Sequence, residues 1–311
     1  YDIQKRKQEL MKELHEKLQC LDNPDCEIEK EPNSILVRYD KAKNEFIIIN
    51  EDGTEEQVTY GEILTDGEWG VLYHLDKKTV PRNTIKKYLI EQTKRQLRHE
   101  LDLQIIFSEK SGIANKISKG QLGNQFKSRV QAYENYHAAL EEERLEDRVG
   151  VWAEKMVKNI FKKMIYDHGV GLVVSDVDIF EDIEHKIDFI IKRAQHKRGV
   201  RVEEIQDAQD IGIQITANGN KGVHKRKRRQ ISNVLEKQEV FELVDDIALV
   251  FLSSKKISPA INEWEDRGRP PGGPDKILSE DTIEKIFKQV LEGLLPPEEI
   301  ENYWMQRKNS L

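Results

Sequence analysis

Cysteine is close to absent from these 311 residues: Cys20 and Cys26 are the only two. A disulfide scaffold uses more, and neither has the His or Cys neighbours that a zinc site needs. They read as two free thiols in a reducing compartment, and the chain as cytoplasmic. Long apolar runs are missing as well. Nothing approaches the roughly 18 apolar residues of a membrane span, so no membrane partner is expected. The opening YDIQKRKQELMKELHEKL is charged throughout and has no signal-peptide core. It also starts without Met, as a trimmed chain does. Net positive charge is lacking too: the formal balance is -7, which by itself gives no pull toward nucleic acid. There is no internal repeat.

What the chain has in quantity is charge, 34% of all residues, interleaved with apolar positions at helical spacing. At this length two domains are expected. Leu10, Met11, Leu14, Leu18 and Leu21 recur as on one helix, which the NPD at 23–25 stops. SILVRYD, EFIIIN and QVTY form a small meander, and GEILTDGEWGVLYHL adds a further strand or two, giving a β-unit over residues 33–75. NTIKKYLIEQTKRQLRHEL, from Asn83, is a basic helix, and SEKSGIANKISKGQLGNQFKSR, from Ser108, reads as a loop. The domain boundary is placed there, near residue 125, between residues 1–125 and 126–311. After a helix from Val130 to Leu145 the second domain begins with VGVWAEKMVKNIFKKMIYDHG, a helix closed by Gly169. GLVVSDVDIF, HKIDFIIK and DIGIQIT read as strands, KRKRRQISNVLEKQEVFELV as a helix and IALVFLSS as a strand. SEDTIEKIFKQVLEGLL is a helix with Ser279 as its cap. The expected fold class is α/β of the α+β kind. A mixed central sheet flanked by helices forms the C-terminal domain, and a small β-unit with helices forms the N-terminal half.

Two of these strands each carry one awkward polar residue, Asp188 in KIDFII and Gln214 in GIQIT. With GVWAE at 150–154 they fall in an order that resembles the PD-(D/E)XK nuclease superfamily, also called restriction-endonuclease-like. GVWAE resembles the Gly-x-x-Ala-Glu that opens that fold's first core helix. Asp188 stands in a strand after a turn-forming ED, and GIQIT follows where the family carries (D/E)-x-K. The likeness covers about a third of the chain, residues 150–251. It implies a nuclease that hydrolyses phosphodiester bonds with Mg²⁺ or Mn²⁺, with DNA as substrate ahead of RNA.

A divalent metal polarises the phosphate and lowers the pKa of an attacking water, and Mg²⁺ prefers a few carboxylate or carbonyl oxygens. Glu154, Asp188 and Gln214 are the metal and catalytic set the resemblance implies, with the Ile215 carbonyl as a further oxygen. The chain departs from the motif at Thr216, where the family has lysine; Lys221 or Lys225 can swing back from beyond ITANGN, and Lys221 is taken as the catalytic lysine. Lys225, Arg226, Lys227, Arg228 and Arg229, together with Lys197 and Arg198, form two basic clusters beside the site and are read as phosphate contacts. The acidic EEERLED of 141–147 should face elsewhere.

Plainer readings stand beside these. Glu154 reads equally as a solvated helix residue, Asp188 as one on a solvated strand face, and Gln214 as a half-exposed strand residue. With Thr216 for lysine, a degenerate nuclease fold that binds nucleic acid or a protein without cutting is the main alternative. Asp176 and Asp178 make a D-x-D like that of nucleotidyltransferases, but the glycines ahead of them precede a strand rather than a helix. In the N-terminal half, Trp69 and Tyr73 either stack on bases or fill a small core. The helix bearing Lys86, Lys87, Lys94, Arg95 and Arg98 is read as a specificity module, or as a surface for a protein partner or a second copy.

Overall fold

The computed structural model describes residues 3–50, 53–118, 130–134, 149–178, 181–196, 202–204, 210–236 and 243–308. They form a mixed α/β protein with two mixed sheets flanked by helices. Two compact units result, Tyr1–Gln104 with Arg269–Gly273, and Ile105–Gly268 with Pro274–Leu311. Residue 125, where the sequence boundary was expected, lies outside the described residues.

The first unit opens with α1 (Ile3–Asp22), which buries Leu10, Leu14 and Leu21. Strands β1 (Ile35–Asp40), β2 (Glu45–Ile49), β3 (Glu55–Val58) and β4 (Tyr73–Leu75) lie in the order β3-β2-β1-β4. The meander pairs antiparallel, and β4 joins β1 in parallel. GEILT is helical, not a strand: it belongs to α2 (Tyr60–Thr65). The cause is a capping box. The Glu62 N–H donates to the Thr59 hydroxyl at 3.1 Å, and the Thr59 N–H donates to the Glu62 carboxylate at 2.8 Å, so two otherwise orphaned donors are satisfied reciprocally. Thr59→Ala is expected to cost about 1 kcal/mol, measured as a lower urea midpoint at unchanged slope.

Trp69 and Tyr73 are buried and fill this unit's core. Cys20 and Cys26 are not free thiols; they are joined in a disulfide. The NPD turn folds the end of α1 back so that the two Cα atoms lie 5.3 Å apart, within the ~4.4–6.8 Å a disulfide can bridge. The pairing removes the free-thiol argument for a reducing compartment.

Helix α3 (Arg82–Ser118) runs on through residues 108–118 of the stretch that had read as loop, and the rest of that stretch, 119–129, lies outside the described residues. Ile106 and Ile113, two turns apart, keep helical phase into a buried cluster with Tyr133 and Ile183. That burial outweighs the roughly 1 kcal/mol that Gly112 costs a helix. The cations of α3 are largely engaged within the fold. Lys94 pairs with Glu91 at 3.0 Å, Arg98 lies 3.6 Å from Asp102, and Arg95 donates to the Leu64 carbonyl at 2.9 Å.

The second unit holds α4 (Val149–His168), β5 (Leu172–Asp176), a π turn (Glu181–His185) and β6 (Phe189–His196). It continues with β7 (Val202–Glu204), β8 (Asp210–Thr216), α5 (Lys221–Leu235) and β9 (Asp246–Phe251). Two helices beyond the sequence expectation, α6 (Ser254–Asp266) and α8 (Pro297–Lys308), flank α7 (Glu280–Leu291). Ser279 stands at the α7 cap position, but its hydroxyl meets the Thr282 hydroxyl at 2.8 Å and caps no backbone N–H. Gly169, at φ 65°, closes α4 in the left-handed conformation that favours glycine.

The sheet runs β5-β6-β8-β9, with β7 pairing β6. Only the β8–β9 step is parallel, and α5 makes its crossover. Ile190 pairs with Gly212 and shares a buried cluster with Ile231 and Val234 of α5, so α5 covers that face. Gly212 makes room there: a Cβ would lie 3.2 Å from the Ile187 side chain, which would have to give by a few tenths of an ångström. Ile211, on the alternate face, meets the chain just beyond α7 at Gly293. Phe161 of α4 stacks on Phe287 of α7 at 5.5 Å. The β6–β8 end of this layered core positions the candidate site.

Candidate active site

The β6–β8 ladder runs out at the Phe189–Ile213 pair. One residue earlier the Asp188 N–H still donates to the Ile213 carbonyl, at 2.7 Å, while its Oδ2 accepts the Ile215 N–H at 2.6 Å. The side chain of Asp188 thus replaces the next rung of the ladder. Two backbone groups of β8 fix it, so it is not an idle carboxylate on a solvated strand face.

The carbonyl of Ile215 is held as well. Lys227 lies on the inner stripe of α5 with the buried Ile231 and Val234, at i, i+4 and i+7. Its Nζ donates to the Ile215 carbonyl at 3.0 Å. The N–H of one residue therefore holds the aspartate and its carbonyl holds the lysine. Between them and the ladder lies Gln214, only 4% exposed rather than half-exposed, and its Oε1 has no hydrogen-bond partner. An orphaned buried carbonyl oxygen costs about 1–3 kcal/mol of desolvation, so an oxygen-seeking group would be welcome there. Thr216 is buried beside it, and its hydroxyl accepts the Asn218 N–H at 3.4 Å.

Electrostatics tie these residues to Glu154 on α4. Burial pushes the Asp188 carboxyl up to about 7; the charge of Glu154 adds to the rise, while the Ile215 N–H, Lys227 and Asp182 oppose it. Burial also pushes Glu154 up to about 8, with Asp182 and Asp176 adding and Lys158 and Lys155 opposing. Glu154 is half-buried rather than fully solvated. Asp182, in the π turn, is raised well above the usual carboxylate range by burial and then by Asp188. Burial lowers Lys227, while Asp188 and Asp182 hold it up. Desolvated carboxylates that repel one another are what a cation relieves.

Glu154 and Asp188 are thus brought into one electrostatic neighbourhood, and Gln214 is next to the backbone that Asp188 grips. Among the described residues no three His, Cys, Asp or Glu side chains are disposed as a ready-made cation cage. A cation would rest on the two carboxylates and the Gln214 amide oxygen. That set of hard oxygens suits Mg²⁺ or Mn²⁺ rather than zinc.

Lys221 opens α5 and is exposed; it stands six residues, about 9 Å of helix rise, ahead of Lys227. Lys227, read from the sequence as a phosphate contact, is the lysine of α5 that bonds the Ile215 carbonyl and whose charge bears on Asp188 and Asp182. Lys225, Arg226, Arg228 and Arg229 are exposed on α5. Lys197, Arg198 and the acidic run 141–147 lie outside the described residues. At the start of the other basic run, Lys192 pairs with Asp210 at 2.8 Å and Arg193 with Glu299 at 2.9 Å. Of the D-x-D pair, Asp176 is held by Lys158 at 3.1 Å and Lys162 at 3.7 Å, an ion-paired role rather than an open metal ligand.

Asp182 is the member that sequence reasoning missed. Its only signal was the ED of the turn before the Asp188 strand. Comparison with protein-family models, curated proteins and solved structures finds no match to this chain.

Proposed function

We propose that this protein is a metal-dependent nuclease of the PD-(D/E)XK kind, hydrolysing phosphodiester bonds, with DNA as substrate ahead of RNA. The observation that carries the reading is the double grip on Ile215: Asp188 on its N–H and Lys227 on its carbonyl. It supplies from α5 the acid–lysine pairing that Thr216 denies to the strand motif. Glu154, Asp188 and Gln214 would hold Mg²⁺ or Mn²⁺, which supplies Lewis-acid polarisation of a phosphate and an acidified water. The protein's own part is to hold the two carboxylates out of bulk water and to present the Lys227 ammonium to developing negative charge. The exposed Lys225, Arg226, Arg228 and Arg229 would bind backbone phosphates.

A specific observation favours a second reading, binding without cleavage: Lys227 already takes the Ile215 carbonyl that a metal would use. Incubating the purified chain with labelled duplex DNA, single-stranded DNA and RNA, in Mg²⁺, Mn²⁺ or EDTA, separates the two. Cleavage that needs the metal is expected. Gel shifts without cleavage under any metal would leave the binding reading instead. In the same assay, Gln at Lys225, Arg226, Arg228 and Arg229 should flatten the salt dependence of binding by up to about 0.9 per lost duplex contact. An unchanged slope would remove these residues from the interface.

A further inference from the structure

The turn that the disulfide closes does more than staple the end of α1. Its own backbone bonds are long, 3.3 Å from the Asn23 N–H to the Cys20 carbonyl and 3.2 Å from the Cys26 N–H to the Asn23 carbonyl, at or beyond the ~3.2 Å limit of a good N–H···O bond. Three carbonyls of this short turn nevertheless converge on one atom. Lys77 Nζ donates to Cys20 at 2.8 Å, to Cys26 at 3.0 Å and to Asn23. An ammonium has three N–H donors, and all three are used on this turn. The Cys20 carbonyl also lies at the negative end of α1, which favours a cation. Lys77 comes from the connection between β4 and α3, so the ammonium ties the end of α1 to that connection.

We propose that Cys20, Cys26 and Lys77 form a redox latch, in which the closed disulfide gathers the carbonyls that cage the Lys77 ammonium and reduction releases it. Cys26 is the more exposed of the two cysteines and is the sulfur that a dithiol attacks, with Cys20 leaving. The balance is a two-electron exchange: one dithiol becomes a disulfide, the Cys20–Cys26 bond breaks, and two protons pass to the protein sulfurs. Linkage fixes a second consequence. If the disulfide favours the caged ammonium by some factor, the caged ammonium favours the disulfide by the same factor. The latch is independent of the nuclease reading.

Lysine methylation of the full chain, read by mass spectrometry with and without a dithiol, tests it. Lys77 should label at least tenfold more slowly in the oxidised protein than in the reduced one. The exposed neighbour Lys78 should label alike in both, and the Cys20→Ser, Cys26→Ser double variant should behave as the reduced form. Lys77→Met should shift the dithiol–disulfide equilibrium toward the thiols by the factor seen in labelling. Equal Lys77 labelling in both redox forms overturns the proposal. So does an equilibrium that Lys77→Met moves by less than twofold, or recovery of both cysteines as thiols from air-equilibrated protein.

Discussion

Asp188→Asn is expected to abolish metal-dependent cleavage and, at the same time, to make the metal-free protein more stable at alkaline pH. Both effects come from one desolvated carboxyl. It titrates at about 7 in the fold and near 3.9 in an unfolded chain. Below about pH 4 it is protonated in both states and burial costs nothing. Between about pH 4 and 7 the unfolded chain ionises this group while the fold, where it faces Glu154, keeps it protonated, and stability is lost across that window. The full loss is on the order of 4 kcal/mol, from roughly three pH units at about 1.4 kcal/mol each. Glu154, titrating at about 8, shares that repulsion, so the two contributions do not add. Asn cannot ionise, yet its carbonyl oxygen still accepts from the Ile215 N–H.

Melting curves from pH 4 to 9 should therefore show little gain for Asp188→Asn at pH 4, a gain that grows up to about pH 7 and a plateau above it. Mn²⁺ should stabilise the parent protein at pH 8 by binding only the folded state, and should leave the variant unmoved. Cleavage should fall by at least about 10³-fold, since the metal's charge stabilisation goes with its ligand. A variant that still cuts removes Asp188 from the reaction. Superimposable melting curves across the pH range would show that the carboxyl is not held out of water.

Much of the second unit could be read from residue order because its strands are short and apolar and its helices carry clear periodicity. KIDFII and DIGIQIT are strands because β-branched residues fill both faces of a buried sheet, which is also why Asp188 and Gln214 stood out. The helix at GEILT was missed although Thr59 and Glu62 spell a capping box, since the surrounding Gly and aromatic residues resemble strand punctuation. Helix α3 was cut short because Gly112 and the polar residues around it mimic a loop, and the phase of Ile106 and Ile113 shows only when a partner cluster exists. The disulfide could not be read from two cysteines alone, because the turn geometry decides whether they meet. The lysine was the hardest member. Lys227 sits in a run of five consecutive cations, and only the inward stripe it shares with Ile231 and Val234 separates it from its exposed neighbours.

That stripe gives the second large effect: Lys227→Met should lower kcat by about 10²–10³-fold, the range for losing one preorganised charge-stabilising donor, and leave substrate binding nearly unchanged. Met keeps the length and apolar stem that pack beside Ile231 and Val234, so the fold should tolerate it. The loss then belongs to the ammonium at the Ile215 carbonyl and beside Asp188. Arg should not rescue it, because a planar fork cannot replace a compact ammonium in a partly buried niche. Lys221→Met and Lys225→Met make the comparison decisive. Both residues are exposed on the same helix, so each should weaken binding in a salt-dependent way and leave kcat within a few-fold. Single-turnover rates at saturating substrate, set against binding measured in Ca²⁺ or EDTA, separate the two kinds of loss. If Lys221→Met or Lys225→Met abolished turnover while Lys227→Met did not, the working lysine would be one that swings in from the exposed start of α5. Lys227 would then be only a strut between that helix and β8.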